Sequence, residues 1–341
     1  MPALPTFDSK LITGLIYTAT AIGLLKIASK IFSFFSLIAS LFLLPPVDFK
    51  VYGAKKGAWA VVTGASEGIG QEFAKQLASK GLNIVLISRT QSKLEQIATD
   101  IETKYKVQTR VVAADCSKNT PELYALISKS IEDLPVSVLI NNVGRSHEGP
   151  VPLVETLDEE VESILAINNL FLVKMTKLCI PVIDKAIASK KANRGLIVNI
   201  GSFAGLFPTP YLATYSGSKS FLQNFSQALS VELKSQKIDV QLVLAYFVTT
   251  ALSAIRRSSF FIPTPKDFVA ATLRNMGRRG GAQDRFATSS PYPSHALLQY
   301  VAHNTLGVYS EFLANTTFKA MKATRAKRLK KLQKQKEAKA E

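Results

Sequence analysis

The sequence predicts an α/β chain built on a doubly wound parallel sheet, with an apolar anchor ahead of it and a less regular segment after it. Three observations carry this expectation. Between about residues 58 and 245, short apolar runs alternate with stretches of helical periodicity. A glycine-rich turn, Gly64 to Gly70, follows the first run and opens a helix. Residues 11–44 are almost uncharged and close at Pro45-Pro46, before the alternation begins.

The leading segment reads as a membrane anchor. A bilayer span needs about 20 predominantly apolar residues, and this run is longer, interrupted only by Lys26 and Lys30. It fits one span whose lysines snorkel toward an interface, or two half-length helices with one lying in the interface. No charged n-region and small-residue cleavage site mark it as a signal peptide. Lys50, Lys55 and Lys56 follow the run closely, whereas only Asp8 and Lys10 precede it. That asymmetry favours a domain on the cytosolic side.

The elements then follow in order. Ala58–Thr63 is a short buried strand, and Gly68–Lys80 is a helix with Ile69, Phe73 and Leu77 on one face, stopped by Gly81. Asn83–Ser88 is a second strand, 91–104 a helix, Val107–Ala113 a third strand, 120–132 a helix and Ser137–Asn141 a fourth strand. A helix over about 160–190, strands at Gly195–Ile200 and Val240–Ala245, and a helix at 212–236 between them complete the alternation. From about Thr250 it is lost among Pro263, Pro265, Gly277, Gly280, Gly281, Pro291 and Pro293, leaving helices at 265–276 and 295–317. Irregular material after a doubly wound core commonly shapes the substrate end. The organisation expected is an anchor at 1–46, a nucleotide-binding domain at 47–250, a substrate-side segment able to meet the membrane at 251–317, and a basic tail at 318–341.

Composition excludes several functions. The 47% hydrophobic content excludes disorder for most of the chain. Cys116 and Cys179 are too few for a disulfide framework and suit a reducing compartment, and the three scattered histidines, His147, His295 and His303, assemble no zinc motif. The thiols and histidines read as structural. The formal net charge of +17 is concentrated at one end: from Phe318 onward ten Lys or Arg face only Glu337 and Glu341. The body is only moderately basic, which argues against nucleic-acid binding, and the tail suits a lipid surface or solvent.

The residues that carry chemistry lie at the ends of the predicted strands. Glycines between a strand and a helix let the backbone approach a pyrophosphate, and the helix N-terminus offers free N–H groups to the anion; Gly64, Ser66, Gly68, Ile69 and Gly70 are placed for this, with a purely geometric turn as the alternative. After the second strand come Ser88-Arg89. With no carboxylate for the ribose and an arginine to meet a 2′-phosphate, NADP(H) is favoured over NAD(H). Asp115 can accept from the adenine amino group or cap the following turn.

Farther on stand Asn141-Asn142-Val143-Gly144, Asn168, Ser202 and the pair Tyr215-x-x-x-Lys219. Tyr52 and Lys56 make the same spacing in the linker, so spacing alone says little. Context distinguishes the later pair: they lie one helical turn apart, with Ser202 thirteen residues upstream at a strand end. Reducing a ketone needs a hydride and a proton for the developing alkoxide. A phenol of ordinary pKa about 10 serves if its pKa is lowered. Lys219 would do that while bonding a ribose, Ser202 would orient the carbonyl, and Asn168 would hold a water that refills the proton.

This pattern, from about Ala58 to Thr250, resembles the short-chain dehydrogenase/reductase family. The resemblance implies a Rossmann-type fold, Tyr215, Lys219, Ser202 and Asn168 as catalytic residues, and Asn142, Val248 and Thr250 beside the cofactor. Two departures stand out. The family usually has Pro-Gly after the sixth strand, where this chain has Ala245-Tyr246, and the basic residue common in NADP-linked glycine turns is here Glu67. The stretches 201–233 and 253–281, with the anchor, are similar to the membrane-bound branch that reduces 3-oxoacyl-CoA in fungal fatty-acid elongation. That implies NADPH as cofactor, a very-long-chain 3-oxoacyl-CoA substrate, membrane lipid, and a condensing elongase, dehydratase and enoyl reductase as partners. It also implies an endoplasmic reticulum membrane. A 17β-hydroxysteroid or another lipid ketone is the alternative substrate, and a non-catalytic membrane scaffold the alternative of another class. Arg256-Arg257 and Arg278-Arg279 fit either CoA phosphates or anionic lipid.

Overall fold

The computed structural model describes residues 9–340, in two units divided after Leu44. The described part of the first unit is helical from residue 9 to 43: α1 (Ser9–Ile38) continues without a break into a π-helical turn at Ala39–Leu43. These 35 residues span about 52 Å at 1.5 Å per residue, more than the ~30 Å of a hydrocarbon core. Most of its apolar side chains are exposed, Phe32 at 77%, while Leu37 and Leu41 are buried. Of the two arrangements open to the sequence, the structure takes the single helix, with Lys26 and Lys30 one turn apart on one face. It is long and apolar enough to cross a membrane.

The second unit is organised by a seven-stranded parallel sheet. Its strands are β1 (Trp59–Thr63), β2 (Asn83–Ser88), β3 (Thr109–Ala113), β4 (Val136–Asn141), β5 (Gly195–Ser202), β6 (Ile238–Ala245) and β7 (Thr288–Ser289), in the order β3-β2-β1-β4-β5-β6-β7. Every residue of β1 is buried, as a strand covered on both faces requires. Alternation divides the core in two. Ala60 and Val62 pack with Phe73 and Leu77 of α2 (Gly68–Ser79), with α3 (Gln91–Tyr105) and with α9 (Pro265–Arg274). Val61 packs with α4 (Pro121–Lys129), α6 (Leu172–Ala188) and α8 (Ala213–Glu232) on the other side. The strand order reverses between β1 and β4, and that crevice is where such sheets bind ligands.

The structure departs from expectation at several places, the short strand β7 among them. β3 begins at Thr109, because Lys106 caps α3 in the left-handed region (φ 57°) and the chain needs Val107 and Gln108 to recover an extended path. The helix expected over 160–190 is α5 (Asp158–Leu165), a π-helical stretch at Ala166–Phe171, and α6, with one face in the core. The helix expected at 295–317 is α10 (Pro293–Thr305), ended by Gly307 at φ 76°, and the first turns of α11 (Glu311–Ala340). The basic tail is therefore the continuation of α11, with no break at 317.

Candidate active site

The glycine turn is shaped by one clamp. Gly64 (φ 66°) and Gly68 (φ 59°) take left-handed conformations that let the chain turn from β1 into α2. Thr63 Oγ1 donates to the Ile140 carbonyl and accepts from the backbone N–H groups of Asn142 (3.0 Å) and Val143 (3.2 Å). The Asn142 amide donates to the carbonyls of Thr63 (3.0 Å) and Gly64 (3.3 Å). Gly70 packs against this clamp so closely that a Cβ would lie 2.5 Å from Asn142 Nδ2. Asn142 thus holds the turn to the end of β4 with its side chain directed into the turn.

The surroundings fit a dinucleotide. Glu67, at the N-cap of α2, makes no side-chain capping bond, so the first N–H groups of that helix are left for an anion. A Cβ on Gly68 would stand 3.5 Å from Thr250 Cγ2, which places Thr250 opposite the turn. Ser253 Oγ fixes that segment by donating to the carbonyl of buried Val248 at 2.6 Å. Ser88 Oγ donates to Ser66 Oγ at 2.8 Å, tying the turn to the end of β2, and Arg89 follows, exposed. Burial raises the pKa of the Asp115 carboxyl, but bonds from Ser117 and the charges of Arg89 and Lys118 outweigh it and hold the group below its usual range. Its Oδ1 accepts from Ser117 N (3.1 Å) and Oγ (2.7 Å), the turn-capping role.

The proton-handling residues meet at the ends of β4 and β5. Ser202 ends β5 and caps the four-residue helix α7 (Phe203–Leu206), its Oγ accepting from Ala204 N at 3.1 Å. α7 lies directly on α8: a Cβ on Gly205 would be 2.6 Å from the Lys219 carbonyl oxygen, and Ser216 Oγ donates to the Ala204 carbonyl. This contact carries Tyr215 to Ser202. Burial raises the Tyr215 pKa and outweighs the hydrogen bond with Ser202, which lowers it, so the phenol is held above its ordinary value and not lowered as the sequence reading expects. Lys219 Nζ donates to the Ile200 carbonyl at 2.9 Å and lies 6.0 Å from the Tyr215 ring centroid. Burial lowers its pKa to about 8.

Asn168 sits in the π-helical stretch, a local irregularity that often marks functional positions. It accepts from Arg145 N (2.8 Å) and donates to the Arg145 carbonyl and Ser218 Oγ (both 2.9 Å). A Cβ on Gly144 would stand 3.3 Å from Asn168 Oδ1 and 3.4 Å from Lys219 Nζ. The four residues singled out in the sequence therefore form one connected site. Thr63, Gly205 and Ser218 escaped sequence reasoning because their roles are contacts to other elements, and nothing in their local spacing signals them.

A family model for short chain dehydrogenase matches residues 58–259. The chain belongs to the short-chain dehydrogenase family. It is an oxidoreductase, and its fold supports a nicotinamide cofactor. Among curated relatives, a very-long-chain 3-oxoacyl-CoA reductase of Debaryomyces hansenii is 56% identical over 92% of this chain and 91% of its own length. A protein of the same name from Lodderomyces elongisporus is 56% identical over 86% of this chain and 84% of its own length. Among solved structures, a short-chain dehydrogenase from Sphingobium yanoikuyae in complex with NADPH aligns with TM-score 0.58 at 25% identity, covering 72% of this chain and 92% of that one.

After β6 the chain carries Ala245-Tyr246, and the Tyr246 ring packs against Phe203 with centroids 5.4 Å apart. Tyr246 donates its backbone N–H to His295 Nδ1 at 3.4 Å. His295 Nε2 faces the Phe261 carbonyl at 3.0 Å, and burial lowers its pKa to about 4, so the ring is neutral and donates from Nε2. Arg278 and Arg279 are committed to their own neighbourhood, Arg278 donating to Asn275 Oδ1 and the Pro45 carbonyl and Arg279 to the Gln283 carbonyl.

Proposed function

We propose that the chain reduces very-long-chain 3-oxoacyl-CoA to 3-hydroxyacyl-CoA with NADPH, as one step of fatty-acid elongation. The convergence of Ser202, Tyr215, Lys219 and Asn168 on one point carries the reaction class. The likeness to the Debaryomyces hansenii protein over 92% of the chain supports the substrate. NADPH is favoured over NADH by Ser88-Arg89 at the end of β2, where no carboxylate competes for the 2′ position.

The nicotinamide, when bound, supplies the hydride. Tyr215 gives its phenolic proton to the carbonyl oxygen as that oxygen becomes an alkoxide. Ser202 accepts from Ala204 N, which leaves its own proton to point at the same oxygen. Lys219, charged below its pKa of about 8, stabilises the phenolate across the 6.0 Å to the ring. Asn168 fixes the backbone at Arg145 beside Lys219, where the proton returns through water. The condensing elongase, the dehydratase and the enoyl reductase belong to this reading as partners, with the catalytic unit facing the cytosol at an endoplasmic reticulum membrane.

The test is oxidation of NADPH by the detergent-purified protein with a long-chain 3-oxoacyl-CoA and with a 17-ketosteroid, wild type beside Tyr215→Phe. Turnover on the thioester, lost in the variant, is the expected result. Turnover on the steroid alone overturns the substrate and keeps the mechanism.

A further inference from the structure

α11 is strongly basic, yet one face of it is taken up by the catalytic unit. Phe318 stacks edge-on against Tyr211, with ring centroids 5.1 Å apart. Arg325 pairs with Glu155 and lies over the Tyr211 ring. One turn on, Arg328 pairs with Glu148 at 3.2 Å and lies against Gly149. Lys331 comes next on the same face. It lines a cleft of about 900 Å³ whose other walls include Glu67, Gly68, Thr250 and Arg256.

That cleft has the chemistry of a phosphate site. The uncapped N-terminus of α2 opens at Gly68 on one wall, and two cations, Lys331 and Arg256, stand on the others. The carboxylate on this wall, Glu67, is drawn to Lys93 of α3 at 3.7 Å. Arg325 and Arg328 are held by carboxylates of the 148–155 segment, so this face of the helix is turned to the protein, away from a lipid surface.

We propose that Lys331 and Arg256 form a phosphate clamp over the cofactor cleft, and that α11 is the arm that carries Lys331 there. The proposal rests on the reading of the chain as a dinucleotide-dependent acyl-CoA reductase. Two of that enzyme's ligands bear phosphates: the dinucleotide, through its pyrophosphate, and the coenzyme A moiety of the substrate.

The experiment is equilibrium binding to the full-length protein in detergent, with NADPH followed by its own fluorescence and free coenzyme A by calorimetry. Lys331→Gln is expected to weaken one of the two about tenfold, the size of one charge-assisted contact to phosphate, and Lys331→Arg to restore it. The double variant Arg325→Gln/Arg328→Gln, which leaves the cleft's own residues intact, is expected to weaken the same ligand. Loss for NADPH alone assigns the clamp to the pyrophosphate, and loss for coenzyme A alone assigns it to the thioester's nucleotide. Unchanged affinity for both, or equal loss for both, overturns the clamp. If wild type binds neither ligand, the reductase reading itself fails, and the clamp with it.

Discussion

Substituting Lys219 by Met removes a positive charge from a site where the residue is only 5% exposed. Burial alone lowers the lysine pKa from 10.5 to about 8. At 1.36 kcal/mol for each tenfold in proton affinity, holding this charge in the folded chain costs about 3 kcal/mol. Below about pH 8 the group is charged both folded and unfolded, so the full cost is present. As pH rises from 8 toward 10.5 the folded chain sheds the proton first, and the cost fades. Met also forfeits the hydrogen bond from Nζ to the Ile200 carbonyl, worth about 1 kcal/mol. The net expectation is a variant about 2 kcal/mol more stable than wild type at pH 7, and slightly less stable above pH 10.5. Trp59, the chain's lone tryptophan, is buried in β1 and reports unfolding by fluorescence, read in detergent without nucleotide at both pH values. Reductase activity should fall in the same variant. A Lys219→Met protein that is less stable at pH 7, or that differs from wild type equally at both pH values, would refute the reasoning.

Three further outcomes are expected. Tyr215→Phe should lower turnover by about 10²- to 10⁴-fold, the range of a lost general acid, while NADPH affinity measured by fluorescence stays within about twofold. Gly70→Ala places a methyl group 2.5 Å from Asn142 Nδ2, so it should abolish dinucleotide binding and lower the unfolding temperature, a loss of about 1–3 kcal/mol by overpacking. His295 is neutral when folded and takes a proton when unfolded below its ordinary pKa of 6.5, so stability should drain away as pH falls from 6.5 to about 4. His295→Gln should flatten that acid slope in thermal unfolding, and an unchanged slope would remove His295 as its source.

The sheet was legible wherever a strand is buried on both faces, because such strands are continuous apolar runs. β7 was not: Thr288–Ser289 is two polar residues, made a strand only by pairing with Leu242 and Val243 of β6. The tetrad was legible because its members stand at strand ends or one helical turn apart. How they are held was not. Asn168 works from a π-helical stretch that no spacing announces, and the direction of the Asn142 amide is decided by the approach of β4 to β1. The tail shows the limit of composition most clearly. Ten cations in a row of turns read as a solvated or lipid-facing helix, but Glu148 and Glu155 lie about 170 to 180 residues earlier in sequence. Only the fold brings those charges together.

Ala245-Tyr246, the place where the chain leaves its family's pattern, links the chemistry to the substrate side. Tyr246 is packed at 5.4 Å from the ring of Phe203, the residue directly after Ser202, and 5.9 Å from His295. His295 joins Tyr246 N to the Phe261 carbonyl, and Ser294 Oγ donates to the Phe260 carbonyl at 2.7 Å. Phe260 and Phe261 are themselves exposed at the turn that pairs Ser259 with Ile262. A proline and glycine after β6 would keep a backbone N–H at this position but supply no aromatic ring. The tyrosine therefore adds a packed aromatic bridge, from Phe203 beside Ser202 to the apolar turn beyond it. In an enzyme whose substrate is a long acyl chain, that bridge ties the position of the reacting carbonyl to the segment best suited to meet the chain behind it.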